Sequence, residues 1–202
     1  MKTLLPPFRY LNIPNVMTSL SVAMGGICLG LLSVGNERLA AALFLLVFTL
    51  DFSDGIVARK LNQETEIGLQ MDSLADLINF CVIPSLVGWM MGMQSIPEIL
   101  FLIAYVLAGL WRLAFFNVHG LESAPEGSPS FIGLPTTYAA CYFLVIVIIS
   151  RLFSISFEWL GPLFFSAASV LMVCALKIRK KGILLPVTIV MTVGSVILFF
   201  LY

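Results

Sequence analysis

The sequence predicts an all-α, polytopic membrane helix bundle of about seven transmembrane helices around a six-helix catalytic core, and three observations predict it. Of 202 residues, 60% are hydrophobic and 11% charged, against roughly 45–50% and about 25% in soluble domains. The mean hydropathy of +1.05 means that there is too little polar side chain to cover a globule in water. The apolar residues fall in runs of about 20, the length that crosses a ~30 Å hydrocarbon core as a helix, where open sheets leave backbone groups unsatisfied.

Taken in order, residues 1–11 precede the first span as an interfacial segment with Pro6-Pro7-Phe8-Arg9-Tyr10. They lack the short apolar region and small-residue cleavage site of a secretory signal. The expected spans are 12–34, 39–59, 69–92, 97–117, 132–152, 157–177 and 183–202, separated by Gly, Pro and charged residues. One sizeable polar loop, 118–131, contains Gly120, Pro125, Gly127 and Pro129. No linker divides the chain, so 1–202 reads as one integral membrane catalytic domain.

Loop charges set the orientation. With the N-terminus inside, Lys2, Arg9, Arg59, Lys60, Arg112, Lys177, Arg179, Lys180 and Lys181 lie on the cytoplasmic side and only Arg38 and Arg151 outside, as the positive-inside rule requires. Setting Arg59 and Arg112 aside as functional leaves seven against two. The basic run at 177–181 faces the anionic leaflet and acts as a topology anchor. A net charge of +0 excludes a basic nucleic-acid surface. Cys28, Cys81, Cys141 and Cys174 stand singly in apolar stretches without a C-x-x-C pair, which suggests packing residues rather than disulfides or a zinc site.

Asp51, Asp54, Asp72 and Asp76 fall inside the second and third spans. A carboxylate at bilayer depth costs on the order of 3 kcal/mol, so the default reading of four is a functional site. The spacing i, i+3 in the first pair and i, i+4 in the second puts each pair on one helix face, and topology brings both to the cytoplasmic half. Four clustered negative charges need cations. All-oxygen ligation favours two divalent ions of the hard kind, Mg²⁺ or Mn²⁺, with Ca²⁺ also admissible. His119, the single histidine, reads as a solvated loop residue.

Written out, the stretch is Asp51-x2-Asp54-Gly55-x2-Ala58-Arg59-x8-Gly68-x3-Asp72-x3-Asp76. This spacing resembles the signature of the CDP-alcohol phosphotransferase family without a departure. Ile13-Pro14-Asn15, Trp111-Arg112-Leu113-Ala114-Phe115-Phe116-Asn117 and Phe131-Ile132-Gly133-Leu134-Pro135 look like the family's phosphatidylserine synthase branch, over residues 12–180. That branch often carries a second arginine where Phe115 stands here, so one anion contact is missing.

The resemblance implies that Asp51, Asp54 and Asp72 hold a pair of metal ions, with Asp76 as a further ligand or the general base. It implies that Asn15, Thr18, Asp51, Gly55, Ala58, Arg59 and Gly68 form the CDP site. The expected activity is transfer of the phosphatidyl group from CDP-diacylglycerol, or its ether counterpart CDP-archaeol, to L-serine with release of CMP, by a homodimer in the plasma membrane. Small Gly55 and Ala58 let a nucleotide approach the helix backbone, and Arg59 supplies a fixed fork for phosphate. Arg112 and Asn117 are the candidates for acceptor binding, since an amino acid's carboxylate needs a cation. Alternative readings are another acceptor (glycerol phosphate, inositol phosphate or an amino alcohol) and a divalent cation transporter. The latter predicts midplane sites in broken helices related by repeat, a pattern the chain lacks.

Overall fold

The computed structural model describes residues 6–119, 122–123, 129–175, 177–179, 193–194, 196–197 and 200–201. A 3₁₀ turn, Pro6–Tyr10, leads into α1 (Ile13–Ser33), α2 (Glu37–Leu61) and α3 (Glu66–Leu77). A single π turn, Ile78–Val82, joins α3 to α4 (Ile83–Met90), and α5 (Ile96–His119) follows. The strands β1 (Glu122–Ser123) and β2 (Pro129–Ile132) precede α6 (Thr136–Leu152) and α7 (Phe157–Val173), and β3 (Lys177–Arg179) comes last. The architecture is an all-α membrane bundle with a small antiparallel ribbon in the order β1-β2-β3, registered by Ser130 opposite Arg179 and Ile132 opposite Lys177.

Among the described residues, four segments are long and apolar enough to cross a bilayer: Ile13–Ser33, Glu37–Leu61, Glu66–Met90 and Ile96–His119. The helices α6 and α7 have 17 residues each, shorter than the spans read from hydropathy, and sit at the lower limit of ~17 that a spanning helix needs. Pro135 caps α6, so the run that begins near residue 132 in the sequence enters the helix only at Thr136. The seventh expected span, 183–202, falls mostly outside the described residues, which are helical where they are described. The ribbon was not expected from the sequence. It occupies the polar loop 118–131 and ties it to the segment after α7.

The π turn has a local cause and a distant partner. Pro84 has no N–H for the Phe80 carbonyl four residues back, and the fully buried Tyr105 hydroxyl donates to that carbonyl at 2.8 Å. Ile83 N–H returns to Ile78, five residues away, the extra-residue register of a π bulge. The turn drives Asn79, Phe80 and Cys81 into the core, where Asn79 Nδ2 donates to Ser21 Oγ at 3.1 Å. Glycine makes room for these groups: a Cβ on Gly109 would strike Cys81 Sγ, and one on Gly25 would strike Asn79 Oδ1. Phe44 and Phe80 pack edge to face with centroids 6.5 Å apart, and Tyr105 sits on Phe165 at 5.1 Å. At the far end of the bundle Arg151 pairs with Glu37 at 2.6 Å. No disulfide joins the four cysteines.

Candidate metal and nucleotide site

The turn between α2 and α3 sets the site. Asn62 closes α2 in the left-handed region at φ 53°, a conformation that asparagine tolerates at helix ends, while Gln63 N–H returns to the Ala58 carbonyl at 2.9 Å. Thr65 opens α3 by accepting the Gly68 N–H at 3.0 Å, the standard N-cap bond. Asp51 lies ten residues before Leu61, and Asp76 ten after Glu66. At 1.5 Å per residue both stand about 15 Å from the turn. Asp54 and Asp72, seven and six residues from those ends, stand about 10 Å from it by the same rise. A tight reversal between antiparallel helices therefore brings the pairs level.

One carboxylate oxygen from each of Asp51, Asp72 and Asp76 lies within 4.8 Å of the others. Asp54 stands apart from this trio. It is buried on the side of α1, where the Thr18 hydroxyl donates to its Oδ2 at 2.5 Å. The four carboxyls lie near enough to act on one another electrostatically. Asp51 Oδ1 and Asp76 Oδ1 are buried with no hydrogen-bond partner. Buried polar atoms are nearly always satisfied, and two unit charges 4.8 Å apart repel by about 3 kcal/mol at an effective dielectric of ~20. Three carboxylates converging at this distance, two of them with an orphaned oxygen, are a donor set that fits a hard divalent cation.

Toward the helix ends lie the other residues expected in the site. Arg59 is exposed, and its guanidinium folds back over Gly55, where an added Cβ would meet Arg59 Nη1 at 3.5 Å and no other group within 4 Å. Helix packing therefore does not require this glycine, and its face is open. Ala58 is half-buried beside it. Gly68 is different: a Cβ there would come 2.9 Å from Asn15 Oδ1 and 3.1 Å from Thr65 Oγ1, so its small size is what lets α3 approach α1. Asn15 is buried, with its Nδ2 donating to the Tyr10 carbonyl at 2.8 Å and its N–H to Asn12 Oδ1 at 2.9 Å. Asn12 Nδ2 reaches the Gln63 carbonyl at 3.3 Å, which fastens the start of α1 to the α2–α3 turn.

From α5, Arg112 is buried, close enough to act electrostatically on Asp76, with its Nε unpartnered. Asn117 is drawn onto α3: its Oδ1 accepts from Ser73 Oγ at 2.9 Å and its Nδ2 donates to Gln70 Oε1 at 3.2 Å. Phe115 is exposed and stacks on His119 with centroids 4.1 Å apart, while His119 Nδ1 sits 3.0 Å from the Phe115 carbonyl. The sequence reading missed Ser73, Gln70, Ser21, Asn79 and Thr136. Thr136 is fully buried and donates to Asp76 Oδ2 at 3.3 Å. A polar residue directly after Gly133-Leu134-Pro135, at the site end of a span, was the available signal.

The chain also matches a family model over most of its length. The model for CDP-alcohol phosphatidyltransferase matches residues 11–194, which contain every residue of the site. The chain belongs to the CDP-alcohol phosphatidyltransferase family. It is accordingly an enzyme of a phosphotransferase family, and its similar proteins carry a consistent name. It is 32% identical over 133 residues to the CDP-diacylglycerol–serine O-phosphatidyltransferase of Bacillus subtilis (strain 168), covering 62% of this chain and 72% of that one. It is 33% identical over 140 residues to the protein of the same name from Helicobacter pylori (strain ATCC 700392 / 26695), 68% of this chain and 58% of that one. The Saccharomyces cerevisiae (strain ATCC 204508 / S288c) protein of that name is 40% identical over 95 residues, 45% of this chain and 34% of its own length. The chain thus covers less than two thirds of the last two relatives.

Proposed function

We propose that this family member transfers the phosphatidyl group of CDP-diacylglycerol, or of an ether-lipid equivalent, to L-serine and releases CMP. The observation that carries the reading is the convergence of Asp51, Asp72 and Asp76 within 4.8 Å, with a buried, unpartnered oxygen on Asp51 and on Asp76, one helical stretch from an open glycine face crossed by Arg59. The names of its relatives supply the substrates.

In the reaction the serine Oγ forms a bond to the phosphorus that bears the diacylglycerol. The bond from that phosphorus to the CMP oxygen breaks, and CMP leaves with the electron pair. Asp51, Asp54, Asp72 and Asp76 would hold two divalent ions, Mg²⁺ or Mn²⁺, which would supply charge neutralisation to the diphosphate, the chief demand of a loose phosphoryl transition state. Asp54, braced by Thr18, closes the site on the α1 side. Arg59 forks onto phosphate over Gly55 and Ala58, and Asn15 and Gly68 bound the nucleotide at the α1–α3 contact. Asp76 takes the serine proton as it leaves. A weak base suffices where bond-making lags behind bond-breaking. Arg112 pairs with the serine carboxylate, and Asn117 offers its remaining amide hydrogen. The positive-inside pattern favours a site facing the cytoplasm in the plasma membrane, and the open faces of Gly26 and Gly30, which meet nothing within 4 Å, leave room for a second copy in a homodimer.

Purified protein incubated with CDP-diacylglycerol, Mn²⁺ and polar acceptors one at a time tests this by CMP release. Serine-dependent release supports it, and release driven only by glycerol phosphate, inositol phosphate or an amino alcohol refutes the serine assignment. A different acceptor is the second reading, favoured by Phe115. It stands where the similar branch carries arginine, and it is turned to His119 rather than offering a charge. Ion flux into sealed vesicles without any lipid product would identify a transporter instead.

A further inference from the structure

Thr136 reaches the site from a part of the chain sixty residues beyond Asp76, and the fold goes to some length to deliver it. The approach runs through Gly133, at φ 73°, in the left-handed region where a side chain is strained. A Cβ on Gly133 would collide with the Met172 carbonyl oxygen at the end of α7. The next residue, Leu134, donates its N–H to the Leu171 carbonyl at 2.9 Å. Pro135 then caps α6 without a side-chain bond, so Thr136 enters the first turn with its hydroxyl uncommitted to helix capping. That hydroxyl donates to Asp76 Oδ2 at 3.3 Å, and the residue is fully buried. On its other side the Thr136 methyl lies 3.7 Å from where a Cβ on Gly109 would stand. The turn that carries Thr136 is thus tied to α7 by the Leu171 carbonyl, and the methyl faces Gly109 of α5.

Two of the acids are met by a hydroxyl from another helix. Asp54 Oδ2 is met by a hydroxyl from α1, next to it in the sequence order of the bundle. Asp76 has one oxygen met by Thr136, while its other oxygen, Oδ1, has no hydrogen-bond partner at all. A carboxyl group turns easily about its final bond, and a hydrogen bond on one oxygen fixes which way the other points. Partners of this kind orient the groups that bind metals, and their loss typically weakens binding or activity about 10- to 100-fold.

We propose that Thr136 is a positioning residue that locks the rotation of the Asp76 carboxyl, engaging Oδ2 so that Oδ1 is presented to a divalent cation shared with Asp51 and Asp72. The inference rests on the metal-dependent transfer reading above. It adds that the turn Gly133-Leu134-Pro135 exists to aim this hydroxyl, coupling the end of α7 to the site.

The test uses full-length protein in three forms: wild type, Thr136→Val, which keeps the shape and loses the hydroxyl, and Thr136→Ser, which keeps the hydroxyl and loses the methyl. Mn²⁺ affinity is read from the spin-resonance signal of free Mn²⁺, and CMP release gives kcat and KM. The valine variant is expected to bind Mn²⁺ about 10-fold more weakly and to lose kcat by a similar factor, with KM for CDP-diacylglycerol unchanged, while serine restores both. A valine variant equal to wild type in Mn²⁺ affinity overturns the inference, as does a serine variant as impaired as valine, which would assign the residue to packing. Wild type that binds Mn²⁺ but transfers nothing to serine refutes the substrate reading alone, and the Mn²⁺ comparison still decides on Thr136. Wild type that binds no Mn²⁺ overturns both.

Discussion

Replacing Asp51 by Asn separates the function of the carboxylate cluster from its effect on stability. Asp51 is within 4.8 Å of both Asp72 and Asp76, so neutralising it removes two repulsions of about 3 kcal/mol each at an effective dielectric of ~20. Proton uptake by the crowded acids makes that sum an upper bound, and an amide left buried without partners costs about 1–3 kcal/mol in return. The metal-free variant should therefore be at least as stable as the metal-free wild type. The liganded comparison runs the other way. Metal at 100 times its dissociation constant stabilises the native state by about 2.7 kcal/mol, or roughly 5–11 °C of Tm for a chain of this size. Thermal unfolding in detergent, with EDTA or with Mn²⁺, measures both quantities, and CMP release follows activity in parallel. Asp51→Asn should abolish the Mn²⁺-induced rise and the activity together while leaving the EDTA Tm unchanged or higher. A variant that keeps the Mn²⁺-induced rise, or whose EDTA Tm drops by several degrees, would show that Asp51 is a structural group and not a ligand.

The remaining predictions address the two substrates and the helix kink. Arg59→Gln should raise KM for CDP-diacylglycerol about 10-fold, the loss of one charge-assisted bond, with no change in Tm, because the side chain is exposed. Arg112→Ala should raise the serine KM by about 10- to 100-fold, as 1.5–3 kcal/mol for a charged hydrogen bond implies, and leave KM for CDP-diacylglycerol nearly constant; equal effects on both would remove Arg112 from the acceptor site. Tyr105→Phe should lower Tm by several degrees, since it strands the buried Phe80 carbonyl at a cost of about 1–3 kcal/mol, and a Tm within one degree of wild type would mean that water or a shifted backbone satisfies that carbonyl.

Much of the site could be read along the chain because it lies within two neighbouring helices and a short turn. Helical spacing dictates that Asp51 and Asp54 share a face, as do Asp72 and Asp76, and equal distances from the reversal at 62–65 bring the pairs level. The same local rules put Gly55 and Arg59 on one stretch of helix, and in the structure the Arg59 guanidinium lies over Gly55. They were less informative for Gly68, whose small size serves the approach of Asn15, and for Asn117, whose amide is engaged by Ser73 and Gln70. Hydropathy counted residues 132–135 and 174–177 into their spans. Pro135 ends one helix, Cys174 in an extended conformation ends the other, and short strands follow in the flanking loops.

The membrane bundle and the oxygen-only character of its acid cluster were therefore decided by the sequence alone, because solvent preference and the direction of side chains within one helix are local properties. The packing of the whole bundle decided that Asp54 turns to Thr18, that Tyr105 answers the carbonyl freed by Pro84, and that Thr136 meets Asp76. These contacts join segments separated by 36, 25 and 60 residues. Which distant segments meet depends on where small residues such as Gly109 and Gly25 let helices close together, and no periodicity along a single helix carries that information.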